Sequence, residues 1–189
     1  MLDLFHGTTS DITEIDIALG KGYKDFGKGF YATAVKVHAE NIARRNKRRL
    51  EVREAGIKRR NPQYKEKRYQ AYRYNLEFDD DCISNPGELK VKVFGKADRE
   101  WVRFVLYNRS SETSKHGYDI VIGPTADENT VTIINSYKEV LLGANYSDEV
   151  LDALIDELRP ENLPKQYFFG TEAAIRKLRF KNIRREIVL

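Results

Sequence analysis

Phe26-Gly27-Lys28-Gly29-Phe30-Tyr31-Ala32-Thr33 is the stretch on which the fold of this chain turns. Two glycines one residue apart make a pliable turn, and the residues after them favour a short strand. The glycines could cradle a phosphate, but no Gly-Lys-Ser/Thr follows, so this is not a P-loop. Nor does a buried strand run straight into a helix here, as a dinucleotide-binding fingerprint needs. Two readings stay open: a flexible turn before a strand, or a turn that presents Tyr31 for stacking on a flat ring.

On the N-terminal side, Leu2 to Phe5 reads as a strand ending in His6-Gly7-Thr8-Thr9. A glycine beside a strand-end histidine lets a planar ligand reach the backbone N–H and C=O, although a plain turn glycine fits as well. Residues 10–25 are irregular, with a helical turn expected around Ile12 to Ile17. On the C-terminal side the pattern is helical from Val35 to near Gly56. Ala39, Ile42 and Ala43 give it an apolar face that fades beyond Arg44, so its far half is expected to project into solvent.

Strands are expected at Tyr69 to Phe78, Leu89 to Phe94, Tyr118 to Pro124, Tyr167 to Phe169 and Arg185 to Leu189. Helices are expected at Asp98 to Tyr107, Thr130 to Leu142, Ser147 to Leu158 with Ser147 as N-cap, and Glu172 to Leu178. Trp101, Phe104 and Tyr107 have helical spacing and read as core. His38 and His116 have no partners at metal-ligand spacing and read as surface. Strands and helices interleave without a βαβ rhythm, which favours a mixed α+β fold.

The 189 residues are 41% hydrophobic and 33% charged, enough apolar surface for one domain of ordinary size. Mean hydropathy is −0.61, and no apolar run approaches the ~18 residues of a membrane span. The N-terminus lacks the layout of a signal peptide. The one cysteine, Cys82, excludes an internal disulfide and a cysteine-based zinc site. A soluble, cytoplasmic protein without a metal centre is expected. The net charge is only +4, but residues 36–73 hold fourteen Lys or Arg against four Glu. That segment is +10 and the remainder −6. Such a run is either a solvated helical arm or a field that attracts polyanions or an acidic partner.

His-Gly-Thr at 6–8, followed by Phe-Gly-Lys-Gly-Phe-Tyr-Ala-Thr at 26–33 and a helix with Ala39, resembles the ADP-ribosyltransferase superfamily. The resemblance is closest to the branch of poly(ADP-ribose) polymerases and diphtheria-type toxins. The layout, with Tyr-Asp-Ile-Val-Ile-Gly-Pro at 118–124 and Gln-Tyr-Phe-Phe-Gly-Thr-Glu at 166–172, is similar to a group of small stand-alone bacterial domains of that fold. It covers most of the chain except roughly 45–68, a basic helical insertion or extension in an otherwise single domain.

The resemblance implies a split pair of antiparallel sheets with NAD held in the cleft between them. By that resemblance the catalytic residues are His6, Tyr31 and Gln166. His6 holds a ribose hydroxyl, Gly7 pairs its backbone with the nicotinamide amide, and Tyr31 stacks on the ring. Thr8, Phe26, Gly29 and Phe30 complete the NAD-binding set. The branch's third position carries an acid or a glutamine, and Gln166 is the match. A glutamine accepts the same hydroxyl hydrogen bond without bringing negative charge, so Asp119, Asp127, Glu128 and Glu172 stay open as sources of a carboxylate. The second aromatic of the polymerases falls near Ile42, so that face of the ring would be aliphatic or supplied by Tyr23, Phe26 or Phe30.

The implied activity is NAD-dependent mono-ADP-ribosylation of a protein or nucleic acid. By analogy the chain is a bacterial toxin restrained by a neutralising protein partner. The alternatives are an NAD- or ADP-ribose-binding module with weak turnover, and an RNA-directed member of the fold that uses the basic arm. An RNA 2′-phosphotransferase is disfavoured, because the His and Tyr motifs lack arginines.

Overall fold

The computed structural model describes residues 1–114, 116–126, 128–143, 145–158 and 163–189. Its strands are β1 (Leu2–Thr8), β2 (Phe30–Thr33), β3 (Tyr72–Phe78), β4 (Val91–Val93), β5 (Ile120–Pro124), β6 (Lys165–Phe169) and β7 (Leu178–Ile187). Its helices are α1 (Lys36–Arg60), α2 (Asp81–Ser84), α3 (Arg99–Arg109), α4 (Glu128–Ser136), α5 (Lys138–Gly143), α6 (Asp148–Leu158) and α7 (Glu172–Ile175). The fold is α+β. The chain divides into two compact units: residues 1–15, 32–80 and 177–189 form one, residues 16–31 and 81–176 the other.

In the first unit the strand order is β2-β1-β3-β7, with β1–β2, β1–β3 and β3–β7 antiparallel. β1 pairs with β3 over its whole length, from Leu2 opposite Phe78 to Thr8 opposite Tyr72. Alternation along these strands buries Leu4, Tyr74, Leu76 and Phe78 completely. α1 packs on β1 through small residues. A Cβ on Gly7 would sit 1.8 Å from the Ala39 carbonyl oxygen, so only glycine lets the helix backbone come this close. Buried Ala39 and Ala43 complete that contact from the helix side.

α1 runs through Gly56 to Arg60, and its last turn carries Lys58, Arg59 and Arg60, favourable at the negative end of a helix. Its far half is largely exposed, as expected, but one side of it is covered. The chain turns at Asn61-Pro62, and residues 64–69 run back to Glu54, whose carboxylate they capture.

In the second unit the strand order is β4-β5-β6. β5–β6 is antiparallel, with Gly123 opposite Gln166, but β4–β5 is parallel. The expectation of purely antiparallel sheets is thereby corrected: β4 leads through α3 before β5, and that crossover permits a parallel pair. The core gathers Phe26, Phe94, Trp101, Val102, Val105, Val121, Leu141, Leu151, Leu154 and Phe168. α3 begins where Asp98 accepts a hydrogen bond from the Trp101 N–H, and Trp101 Nε1 donates to the Pro124 carbonyl at 3.1 Å. Tyr107 is exposed rather than core, on the outer face of the same helix. The helix expected over 130–142 is two helices, broken at Tyr137. The expected turn at 12–17 forms instead at Ile17–Leu19, capped by Asp16.

Candidate active site

The second unit holds Phe26, Gly29, Phe30, Tyr31 and Gln166, and the first holds His6, Gly7 and Thr8. In the second unit the 26–31 turn is built by backbone demands. Gly27 has φ +87°, and a Cβ there would strike Ser114. A Cβ on Gly29 would meet the Phe168 ring at 2.4 Å and the Phe169 carbonyl oxygen at 2.6 Å, so this glycine lets the turn lie against β6.

The turn folds back on Tyr31. Its hydroxyl donates to the Gly27 carbonyl at 2.7 Å and accepts from the Phe26 N–H at 3.1 Å. Burial, reinforced by the charge of Asp25, pushes this phenol well above its usual range, so Tyr31 stays neutral. The ring meets Phe168 edge to face at 5.3 Å.

Asp25 is the residue that sequence reasoning missed. It is 4% exposed and lies immediately before the turn. Its Oδ1 takes the Arg109 Nε–H at 2.7 Å. Its Oδ2 accepts from the Ala126 N–H at 2.8 Å and from Gln166 Nε2 at 2.7 Å. A buried carboxylate needs a cation and donors to offset the water it loses, and this one has both. The available signal was faint: one acid beside a glycine turn, with no periodicity to mark it as buried.

Gln166 is 8% exposed. Besides Asp25, its Nε2 donates to the Pro124 carbonyl at 3.2 Å. Two acceptors at one end of the amide require the NH2 group there. The side chain is therefore locked in one orientation, and no described residue donates to its Oε1. That oxygen is the group left to accept a hydrogen bond from a ligand hydroxyl.

Other expected residues take structural places. Phe26, expected to face a ligand, is wholly buried and packs against Phe94 and Phe104. Its carbonyl also engages His116 Nε2 at 2.8 Å. Phe30 is 9% exposed. Of the aromatics proposed for the second face of a ring, Tyr23 alone is open, at 58% exposure and with a left-handed backbone.

Asp119 is not an idle buried acid. It accepts from the Lys90 N–H and from the Thr171 hydroxyl, both at 2.7 Å, and so ties the start of β5 to the loop after β6. Glu172 is exposed in the first turn of α7. Asp127 lies outside the described residues, and Glu128 opens α4 with its side chain likewise outside them. His116 is not a surface residue. It is half-buried among Phe104, Tyr118 and Phe168, and burial lowers its pKa below the usual range, partly offset by its bond to Phe26.

In the first unit, His6 is half-buried on β1, opposite Tyr74 of β3. Gly7 is buried against α1, so its lack of a side chain is already required by helix packing. Thr8 is half-buried, and its hydroxyl accepts from the Ser10 N–H at 3.2 Å.

A family described as "Protein of unknown function (DUF3990)" matches residues 2–180. The chain belongs to the DUF3990 family. The matched range takes in β1, the glycine turn, the basic arm and β6, so this DUF3990 chain carries all the residues above within the family's span. No curated protein and no solved structure matches it. Among its described residues no group of His, Cys, Asp and Glu could hold a metal ion. No described helix is long and apolar enough to cross a membrane.

Proposed function

We propose that this DUF3990 chain is an NAD-dependent mono-ADP-ribosyltransferase with a macromolecular acceptor. The observation that carries the proposal is the locked amide of Gln166, held by Asp25 and the Pro124 carbonyl, with Oε1 left to accept. That is what the third position of a His-Tyr-Gln set must do: orient a ribose hydroxyl. Tyr31 is neutral, braced by its own turn, and suited to stacking on the nicotinamide ring. His6 and Gly7 take the ribose-hydroxyl and amide roles that the sequence resemblance implies. The fold read this way is the ADP-ribosyltransferase type.

In the reaction, the bond between nicotinamide and ribose C1′ breaks and nicotinamide leaves with the bonding pair. Positive charge builds on the ribose, as in glycoside cleavage. A nucleophile on the acceptor then bonds to C1′ and loses its proton. Gln166 supplies orientation without charge, and Asp25 is already committed to Arg109. Transfer of a single unit, at a modest rate, follows from that arrangement. Incubation with adenylate-labelled NAD, lysate and RNA tests it. Nicotinamide release should fall about a hundredfold or more in a His6→Ala/Tyr31→Ala variant. Release equal in the two proteins would end the proposal.

The same neutral third position favours a second reading, a module that binds NAD or ADP-ribose with little turnover. A thermal shift with NAD, without consumption over long incubation, would select it. Gain of cleavage by Gln166→Glu would mark the site as a detuned enzyme. The acceptor's identity, a toxin role and a neutralising partner remain part of the proposal.

A further inference from the structure

The arm formed by α1 beyond Arg44 and by residues 61–69 is the largest feature that this chemistry does not use. Residues 44–68 contain twelve Lys or Arg, eight of them Arg, against Glu51, Glu54 and Glu66. The acids are disposed of in two of the three cases. Glu51 lies 3.8 Å from Lys47 on the next turn. Glu54 is 2% exposed and turned inward. Its Oε2 accepts from the Tyr64 hydroxyl at 2.7 Å and the Lys67 N–H at 3.0 Å, and its Oε1 accepts from the Tyr69 hydroxyl at 3.0 Å. Lys58 Nζ closes the turn by donating to the Pro62 and Tyr64 carbonyls at 2.6 and 2.9 Å.

Several of the cations are left over. Arg48, Arg59, Lys65 and Arg68 are exposed and have no carboxylate partner among the described residues. Arg73, which the sequence counts in the same run, is excluded from the field. It is 3% exposed and paired with Glu40, Glu186 and Asn75.

A solvated arm has no need of a buried carboxylate holding two strands of chain together. A surface that must present charge in a fixed pattern does. We infer that the arm is a pre-ordered platform for the phosphate backbone of a nucleic acid. Guanidinium groups predominate, and they match phosphate oxygens in a two-pronged way that ammonium groups do not. From Arg44 to Arg60 the helix spans about 24 Å, the rise of about seven nucleotides on one strand. Helix and return segment together are broader than the ~12 Å major groove, so the platform rides on phosphates and reads little sequence. An acidic protein is the competing occupant. Nothing in this inference depends on NAD.

The test is fluorescence anisotropy of the full chain with labelled 20-nucleotide RNA, single-stranded DNA and duplex DNA, and with polyglutamate of equal charge. Binding at about 50 mM salt should weaken steeply as salt rises. Arg48→Gln/Arg49→Gln/Arg59→Gln/Arg60→Gln should reduce the slope of log K against log salt by about 3, with the circular dichroism unchanged. Polyglutamate should bind at least about tenfold more weakly, because it offers carboxylates without the sugar-phosphate spacing of a nucleic-acid strand. Glu54→Ala separates order from charge. It adds a net positive charge, so charge alone predicts tighter binding, whereas loss of the brace predicts binding weaker by about fivefold. Absence of nucleic-acid binding, an unchanged slope, polyglutamate binding as tight, or a tighter Glu54→Ala complex would each overturn the inference.

Discussion

Besides Glu54 in the arm, each unit buries a charge where several elements meet, and the two are held differently. The first encloses a cation, Arg73, which pairs with Glu40 of α1, Glu186 of β7 and Asn75 on its own strand. Three elements converge on one guanidinium, which makes it a structural knot. The second unit encloses an anion, Asp25, which takes donors from Arg109, Ala126 and Gln166. One of those donors is an amide whose other end is left over. Two equally buried charges thus differ in what they leave exposed, and the proposed chemistry draws on the unit with the spare oxygen.

The largest expected effect breaks the anion side. Asp25→Ala leaves Arg109 and the Gln166 amide without their partner and should cost about 3–5 kcal/mol, the usual range for one half of a buried pair. Hydrogen exchange should show the loss in peptides of residues 81–176 before those of the first unit. Nicotinamide release should fall with it, and Asp25→Asn, which keeps an acceptor, should recover part of both. Equal loosening of the two units would mean that Asp25 does not anchor its own unit.

The next effect belongs to the first unit. Gly7→Ala places a methyl against the Ala39 carbonyl and should cost about 1–3 kcal/mol in a urea melt, as overpacking does. A neutral result would show that α1 shifts freely on β1.

Smaller effects come from acid. His116 has its pKa lowered by burial, so the folded state resists the proton that the unfolded chain accepts. Its contribution is complete above pH ~6.5 and is lost as pH falls through its lower folded value. His116→Phe should flatten that dependence in exchange measurements on the second unit. Glu54 acts in the same direction for a different reason, an acid lowered to about 2 by the Lys67 N–H and the Tyr64 hydroxyl, with Tyr69 adding to them. Its contribution is full above pH ~4.5 and gone below its folded value. Pepsin cleavage within 61–69 should therefore stay slow at pH ~4 and accelerate toward pH ~2, with the second unit loosening first. Cleavage of the arm at the higher pH would deny the brace.

Most strands and helices were legible, because period and turn residues are local properties. β5 lies within its expected stretch, β6 covers its expected stretch and starts two residues earlier, and α3 begins beside its Asp98 cap. Tyr31 and Gln166 were legible as motif positions. Asp25 was not, because its meaning depends on Arg109 and Gln166, which lie 84 and 141 residues away. The parallel β4–β5 pair, the buried place of Phe26 and the inward turn of Glu54 were hidden for the same reason.

The α+β class, the glycine turn ahead of Tyr31 and the basic run were determined by the sequence alone, since composition and spacing suffice for each. Which charges point outward was decided only in three dimensions. Arg73 and Arg68 are the same residue type five positions apart, yet one is sealed between carboxylates and the other faces solvent. A side chain's charge is written in the chain, but its worth depends on the partners that folding brings within reach and on the water that folding removes.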